Sequence, residues 1–226
     1  MQLGASPNGA QGTYVLANFE DVCEVLIMLL SDKSPWKLGW YQKKWSVMKY
    51  LKFILASMFL IFVLRGFLFR ATVQYYEASS LPNRVIGDEA FLQWVDQLPP
   101  TSDIHEIAKR CLQICAERLR FTDQKCDTDP NLLFASQKTN CIGYAAFFSA
   151  TCQVLLHQNH LEKKYAVQHL RGHLSFLGMN VHRWFGSPFF KDHDYNLIQD
   201  KETGERFYLD ASTYDLLGIG YVNGGD

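Results

Sequence analysis

A chain of 226 residues has room for one or two domains. Hydrophobic residues make up 48% of it and charged residues 20%, enough for a packed core and too apolar for a chain disordered throughout. With 22 basic against 23 acidic residues and a net charge of −1, nothing neutralises a phosphate backbone, so no nucleic-acid partner is expected.

Residues 1–12 are rich in Gly, Ser, Asn and Gln and read as disordered. Val15, Leu16, Phe19, Val22, Cys23, Leu26, Leu29 and Leu30 then recur at helical spacing, with Glu20, Asp21 and Glu24 opposite. This predicts one amphipathic helix ending before Asp32-Lys33-Ser34-Pro35; whether it lies on a membrane or packs on a neighbour stays open. Together residues 1–47 form an N-terminal extension. Because Met48-Lys49-Tyr50-Leu51-Lys52 looks like the opening of an export signal, that extension reads equally as a small cytoplasmic segment or a misassigned start.

An apolar segment follows over 48–71. Its charge-free run, Phe53 to Leu64, is 12 residues long, short of the roughly 20 that span a bilayer. Arg65 interrupts it, and a crossing helix requires that side chain to snorkel to the interface. Lys43, Lys44, Lys49 and Lys52 precede the run and favour a cytoplasmic N-terminus. No small-x-small cleavage site stands in place, so the expectation is an uncleaved signal-anchor holding the chain to the membrane through residues 49–70; the competing reading is the core helix of a soluble protein. Ser79-Ser80-Leu81-Pro82-Asn83 marks a linker over 72–86.

Residues 87–226 read as one domain. A short helix runs from Asp88 to Gln97, and a longer one, capped by Thr101 or Ser102, buries Ile104, Ile107, Ala108, Cys111, Leu112, Cys115 and Leu119. Residues 122–138 are polar and read as irregular. Thr139 and Asn140 cap a third helix from Cys141 to about His157. Beyond Asn159 the period falls towards two, with strands over 165–170 and 174–179, an aromatic loop over 184–190, and strands over 193–199 and 206–210. The turn Asp200-Lys201-Glu202-Thr203-Gly204-Glu205 makes those last two a hairpin. Helices first and antiparallel strands afterwards give an α+β class.

Six cysteines stand at 23, 111, 115, 126, 141 and 152, none in a C-x-x-C pair, so neither zinc nor a disulfide framework is indicated. A thiol is a strong nucleophile only as thiolate, and a helix N-terminus favours that form; Cys141 is the cysteine placed there. His193 opens one hairpin strand and Asp210 ends the other. At a strand spacing of about 4.8 Å the carboxylate can fix the imidazole tautomer and aim the second ring nitrogen at the thiol. His173 and His182 are competing bases without an aspartate one strand later. His169, His173 and His182 have no carboxylates at ligand-like spacing, so no metal or cofactor is expected.

Cys141-Ile142-Gly143-Tyr144-Ala145, His193-Asp194-Tyr195-Asn196-Leu197-Ile198 and Tyr208-Leu209-Asp210-Ala211-Ser212 together resemble the transglutaminase-like superfamily, over residues 105–215. The resemblance implies a papain-like transglutaminase core and the catalytic order Cys, His, Asp. The superfamily includes protein cross-linkers, bacterial cysteine proteases, peptide N-glycanase relatives and inactive members. The chain departs from the pattern in two places. Asp194-Tyr195 stands where an aromatic residue, often Trp, follows the histidine, and no tryptophan precedes Cys141 closely. Gln137 is a candidate oxyanion donor, beside the Cys141 backbone N–H. Trp184, Phe185 and Tyr195 are candidates for a substrate wall; the aromatic loop reads equally as a hydrophobic plug. The expectation is a membrane-anchored cysteine enzyme cleaving an amide of a peptide or protein substrate through an acyl-enzyme, its domain extracytoplasmic. The alternative is a non-catalytic module binding a peptide or cell-envelope partner.

Overall fold

Helix α1 (Tyr41–Thr72) is continuous over 32 residues. Within it Lys49–Thr72 is long and apolar enough to cross a membrane, with a mean hydropathy of 2.1. Its side chains are not a core: Phe53 is 73% exposed and Phe62 62%, unlike the helix at the centre of a soluble domain. The computed structural model describes residues 41–187 and 191–225. The amphipathic helix expected over residues 15–30, Cys23, and Pro188-Phe189-Phe190 of the aromatic loop lie outside the described residues. Two compact units divide between Leu64 and Arg65, so the last two turns of α1 belong to the second.

That second unit is α+β, with helices, a mostly antiparallel sheet and the end of the apolar helix. The expected linker is corrected here, because Val73–Leu81 is a strand, β1. It pairs antiparallel with β4 (Tyr165–Phe176), from Val73↔Phe176 to Leu81↔His169. Tyr75 is its single buried residue, so β1 lacks the alternation that identifies a half-buried strand. β4 is one strand where two were expected. Its neighbours are β6 (His193–Asp200) and then β7 (Arg206–Leu209). A two-residue strand, β5 (Met179–Asn180), folds back on the end of β4.

After β7 the chain makes β8 (Tyr221–Val222) against β7, and then β9 (Gly224–Gly225) parallel to β1. The sheet order β8-β7-β6-β4-β1-β9 therefore ends in strands one residue apart in sequence. That residue, Asn223, accepts a hydrogen bond from the Tyr75 N–H at 2.8 Å. The two edges meet, and the sheet closes on itself. Tyr75, Leu170, Tyr195, Leu197 and Val222 form a core on one face, with Phe69 of α1 packed against it. Val167, Ile198 and Leu209 belong to the core on the other face, against the helices. β6 is consequently buried along both faces, and its buried polar side chains Asp194 and Asn196 are hydrogen-bonded there.

Four helices lie between β1 and β4. Asp88 caps α2 (Glu89–Val95), its carboxylate accepting from the Phe91 N–H at 2.8 Å. The long helix α3 (Ile104–Arg118) is capped by Asp103, not by Thr101 or Ser102; the Asp103 carboxylate accepts from His105 N–H at 2.9 Å, while Thr101 Oγ1 accepts from Asp103 N–H. The stretch expected to be irregular holds a seven-residue helix, α4 (Pro130–Ser136), with Asp129 at its N-cap and Pro130 inside the first turn, the position where proline's missing N–H is harmless. It is followed by a short parallel pairing of β2 (Arg120–Phe121) with β3 (Lys138–Thr139).

Helix α5 (Cys141–Gln158) is the central element, buried on nearly every side from Gly143 to Cys152. Such a helix carries no amphipathic stripe and must lie inside a core. It packs against α3, β4 and β6, which sets its N-terminus beside the start of β6.

Candidate functional site

Each catalytic candidate is held by local chemistry visible in the chain. At the start of α5, Asn140 is the N-cap, and its side-chain oxygen accepts from Ile142 N–H at 3.1 Å and Gly143 N–H at 3.5 Å. Cys141 is therefore the first helical residue, where backbone N–H groups have no partner within the helix. The preceding Thr139 is fully buried and donates to the Asp127 carbonyl at 2.8 Å. Gly143 is glycine because this threonine leaves no room: a Cβ there would lie 1.8 Å from Thr139 Oγ1. The spacing Cys-x-Gly thus has a steric cause in this fold.

The β6–β7 hairpin carries the other two groups. Asp200 turns the chain, its Oδ1 accepting from the Glu202 N–H at 2.8 Å and the Thr203 N–H at 3.0 Å, and Gly204 takes a left-handed φ of 76°. Strand pairing then brings His193 Nε2 to 2.7 Å from Asp210 Oδ2. With Nε2 engaged, the remaining ring nitrogen is Nδ1. The Cys141 side chain is near enough to this ring to help raise the histidine's pKa, and both residues line one cavity.

Asp210 is 1% exposed and caps α6 (Ala211–Leu217). Its Oδ1 accepts from Ser212 Oγ at 2.7 Å and Thr213 N–H at 3.0 Å. Its Oδ2 accepts from the Tyr75 hydroxyl at 2.8 Å and Thr213 Oγ1 at 2.6 Å, besides His193. Burial alone would raise this carboxyl, but the His193 charge and the Thr213 hydrogen bonds hold it well below the usual carboxylate range. Burial likewise opposes the imidazolium, yet the Asp210 charge and hydrogen bond, with Cys141, push His193 well above its ordinary value. Both shifts favour the charged pair.

Tyr75, Ser212 and Thr213 escaped the sequence reading. A Ser-Thr pair two and three residues after an N-cap aspartate is a signal that was present; Tyr75 gave none. Its phenol is itself pushed up by burial and by Asp210, so it stays a donor. Tyr75→Phe is expected to lower stability by about 1.5–3 kcal/mol, as loss of a hydrogen bond to a charged group does, while leaving the His193–Asp210 contact in place. Thermal unfolding of the full chain in detergent checks this.

The cavity has a volume of about 230 Å³, and its apolar wall includes Phe121, Leu174, Val181, Phe185 and Leu216. Phe185 is thus at the site. Trp184 and Tyr195 are not among its lining residues: Trp184 is 57% exposed, and Tyr195 is 1% exposed in the sheet core, its ring edge-on to Tyr75 at 5.1 Å. Tyr195 shares a strand face with His193, which explains the misplacement, but that face turns inward one residue pair along. Gln137 is exposed, ends α4 in the left-handed conformation, and is likewise absent from the lining.

The residue after the histidine has a different use. Asp194 is buried and accepts from His169 Nε2 at 2.8 Å and Arg171 Nε at 3.1 Å. Burial opposes the charge of Asp194, but these two partners lower its carboxyl below the ordinary value. Of the competing histidines, His173 stacks on Tyr76 at 5.1 Å, while His182 Nε2 accepts from the Leu174 N–H at 2.8 Å on the cavity wall. No family model and no curated protein sequence matches this chain.

Proposed function

We propose that the chain is a transglutaminase-like cysteine enzyme, of papain-like core, that hydrolyses an amide through a Cys141 acyl-enzyme. The observation that carries this reading is one buried carboxylate, five times hydrogen-bonded, holding an imidazole beside a thiol at a helix N-terminus. Ionised Cys141 attacks the carbonyl carbon, and the oxyanion is met by the Cys141 backbone N–H at the helix end. His193, protonated, gives its proton to the departing amine as the C–N bond breaks. It then takes a proton from water, which attacks the thioester and frees the thiol. Asp210 fixes the ring tautomer and stabilises its cationic form. The substrate is a peptide or protein amide whose acyl side is apolar, to suit a cavity walled by Phe121, Leu174, Val181 and Leu216. The domain is extracytoplasmic, anchored through α1.

The test is intact-mass analysis of the full chain in detergent after exposure to an activated acyl compound bearing an apolar acyl group. The expected result is one acyl adduct on Cys141 that hydrolyses with time and is absent from Cys141→Ala. Acylation of Cys126 instead, or an adduct on Cys141 that never turns over, overturns the hydrolase reading and leaves a binding module.

A further inference from the structure

The globular unit carries exposed apolar side chains that its own core does not use. At the β4–β5 turn and the 3-10 segment after it (Val181–Trp184) these are Leu177 at 63%, Met179 at 53%, Trp184 at 57% and Phe185 at 49%; at the end of α6 they are Leu216 at 61% and Leu217 at 50%. Phe185 and Leu216 also line the Cys141 cavity. Phe185 and Leu216 thus stand at its edge, and with their near neighbours along the chain they make up an exposed apolar rim.

Both sides of that rim abut the final turns of α1. The Leu177 N–H donates to the Thr72 carbonyl at 2.8 Å. At the other side, the Arg65 guanidinium lies against Gly218, just past the end of α6, where a Cβ would meet Arg65 Nη2 at 3.0 Å. Phe67 and Leu68 between them are 66% and 39% exposed. Seven helical steps separate Arg65 from Thr72, a rise of about 10 Å, so the rim flanks the helix just where it leaves its apolar run. The apolar span, Lys49–Thr72, is 24 residues, or about 36 Å of helix against roughly 30 Å of hydrocarbon. Its last turns, and the side chains that pack on them, therefore fall at the interface. Trp184 between exposed Arg183 and Phe185, with Lys191 following, is the composition that settles at headgroup depth.

We propose that the rim formed by Leu177, Met179, Trp184, Phe185, Leu216 and Leu217 rests in the bilayer surface, so that the cavity opens at the lipid interface. This surface adds a second membrane contact to the anchoring helix and does not depend on catalysis by Cys141. It follows that an amide reaching the thiol arrives along the membrane and carries an apolar portion.

The test places the photoreactive residue p-benzoyl-phenylalanine at Leu177, Leu216 or, as a control, Glu202 in the β6–β7 turn. Each full-length variant is reconstituted in phosphatidylethanolamine–phosphatidylglycerol vesicles and irradiated, and adducts are identified by mass. The expected result is lipid adducts at 177 and 216 at several times the yield at 202. Equal yields at all three positions overturn the proposal. Cross-linked dimers of the chain at 177 and 216 in place of lipid adducts overturn it too, and make the rim a protein interface. Because the readout is covalent capture, failure of the hydrolase reading leaves it unaffected.

Discussion

His193→Ala is expected to cut amide turnover by about 10²–10⁴-fold, the contribution of a positioned general acid–base. It is also expected to slow Cys141 alkylation by iodoacetamide at pH 6, since the imidazolium that favours a reactive thiolate is removed. His193 sits well above its ordinary value because Asp210 outweighs the penalty of burial. The imidazolium therefore persists into the pH range where free histidine is neutral, and the wild-type alkylation profile keeps a reactive shoulder on the acid side that the variant loses. Superimposable profiles from pH 4 to 9 would show that histidine and thiol do not act together.

Asp210→Ala is the substitution expected to cost most stability, about 3–5 kcal/mol, because it strands a buried cation and removes the acceptor of four other hydrogen bonds. The pH dependence has a definite sign. A carboxyl depressed in the fold contributes stability above its unfolded value of about 3.9, and that contribution is lost as pH falls through the native value. The raised histidine contributes below its unfolded value of about 6.5, and its share is lost as pH climbs through the native one. Wild type should thus be most stabilised by the pair between roughly pH 4 and 6.5. Asp210→Ala should lose this plateau, its deficit against wild type being largest inside the window and shrinking on either side, as measured by thermal unfolding in detergent. An unchanged curve would mean that the pair is neutral in the fold.

The residues that were legible in the chain are those whose roles are set by near neighbours. Asn140 caps α5 through contacts two and three residues away, and the Asp200 turn closes a hairpin whose strands are adjacent in sequence, so Cys141, His193 and Asp210 could be placed together. Tyr75 could not. Its strand buries one residue in nine and is held by partners far along the chain, and the Ser-Ser-Leu-Pro-Asn punctuation after it imitates a linker. The helix α4 was hidden by polar surroundings despite its Asp-Pro start. β8 and β9 are two residues each, too short for any period to show. Tyr195 illustrates the opposite failure, an aromatic near the histidine assigned to a wall when its strand face belongs to the core.

The closure of the sheet also governs when the site comes into being. β1 follows α1 directly and emerges early in synthesis, yet its neighbour on one side, β9, lies at residues 224–225, and its Tyr75 hydroxyl waits for Asp210. Contacts this distant in sequence form late, after the intervening loop has been closed. Cys141 is therefore made before His193 and Asp210, and its thiol has no assembled partner until the later strands have been synthesised and docked.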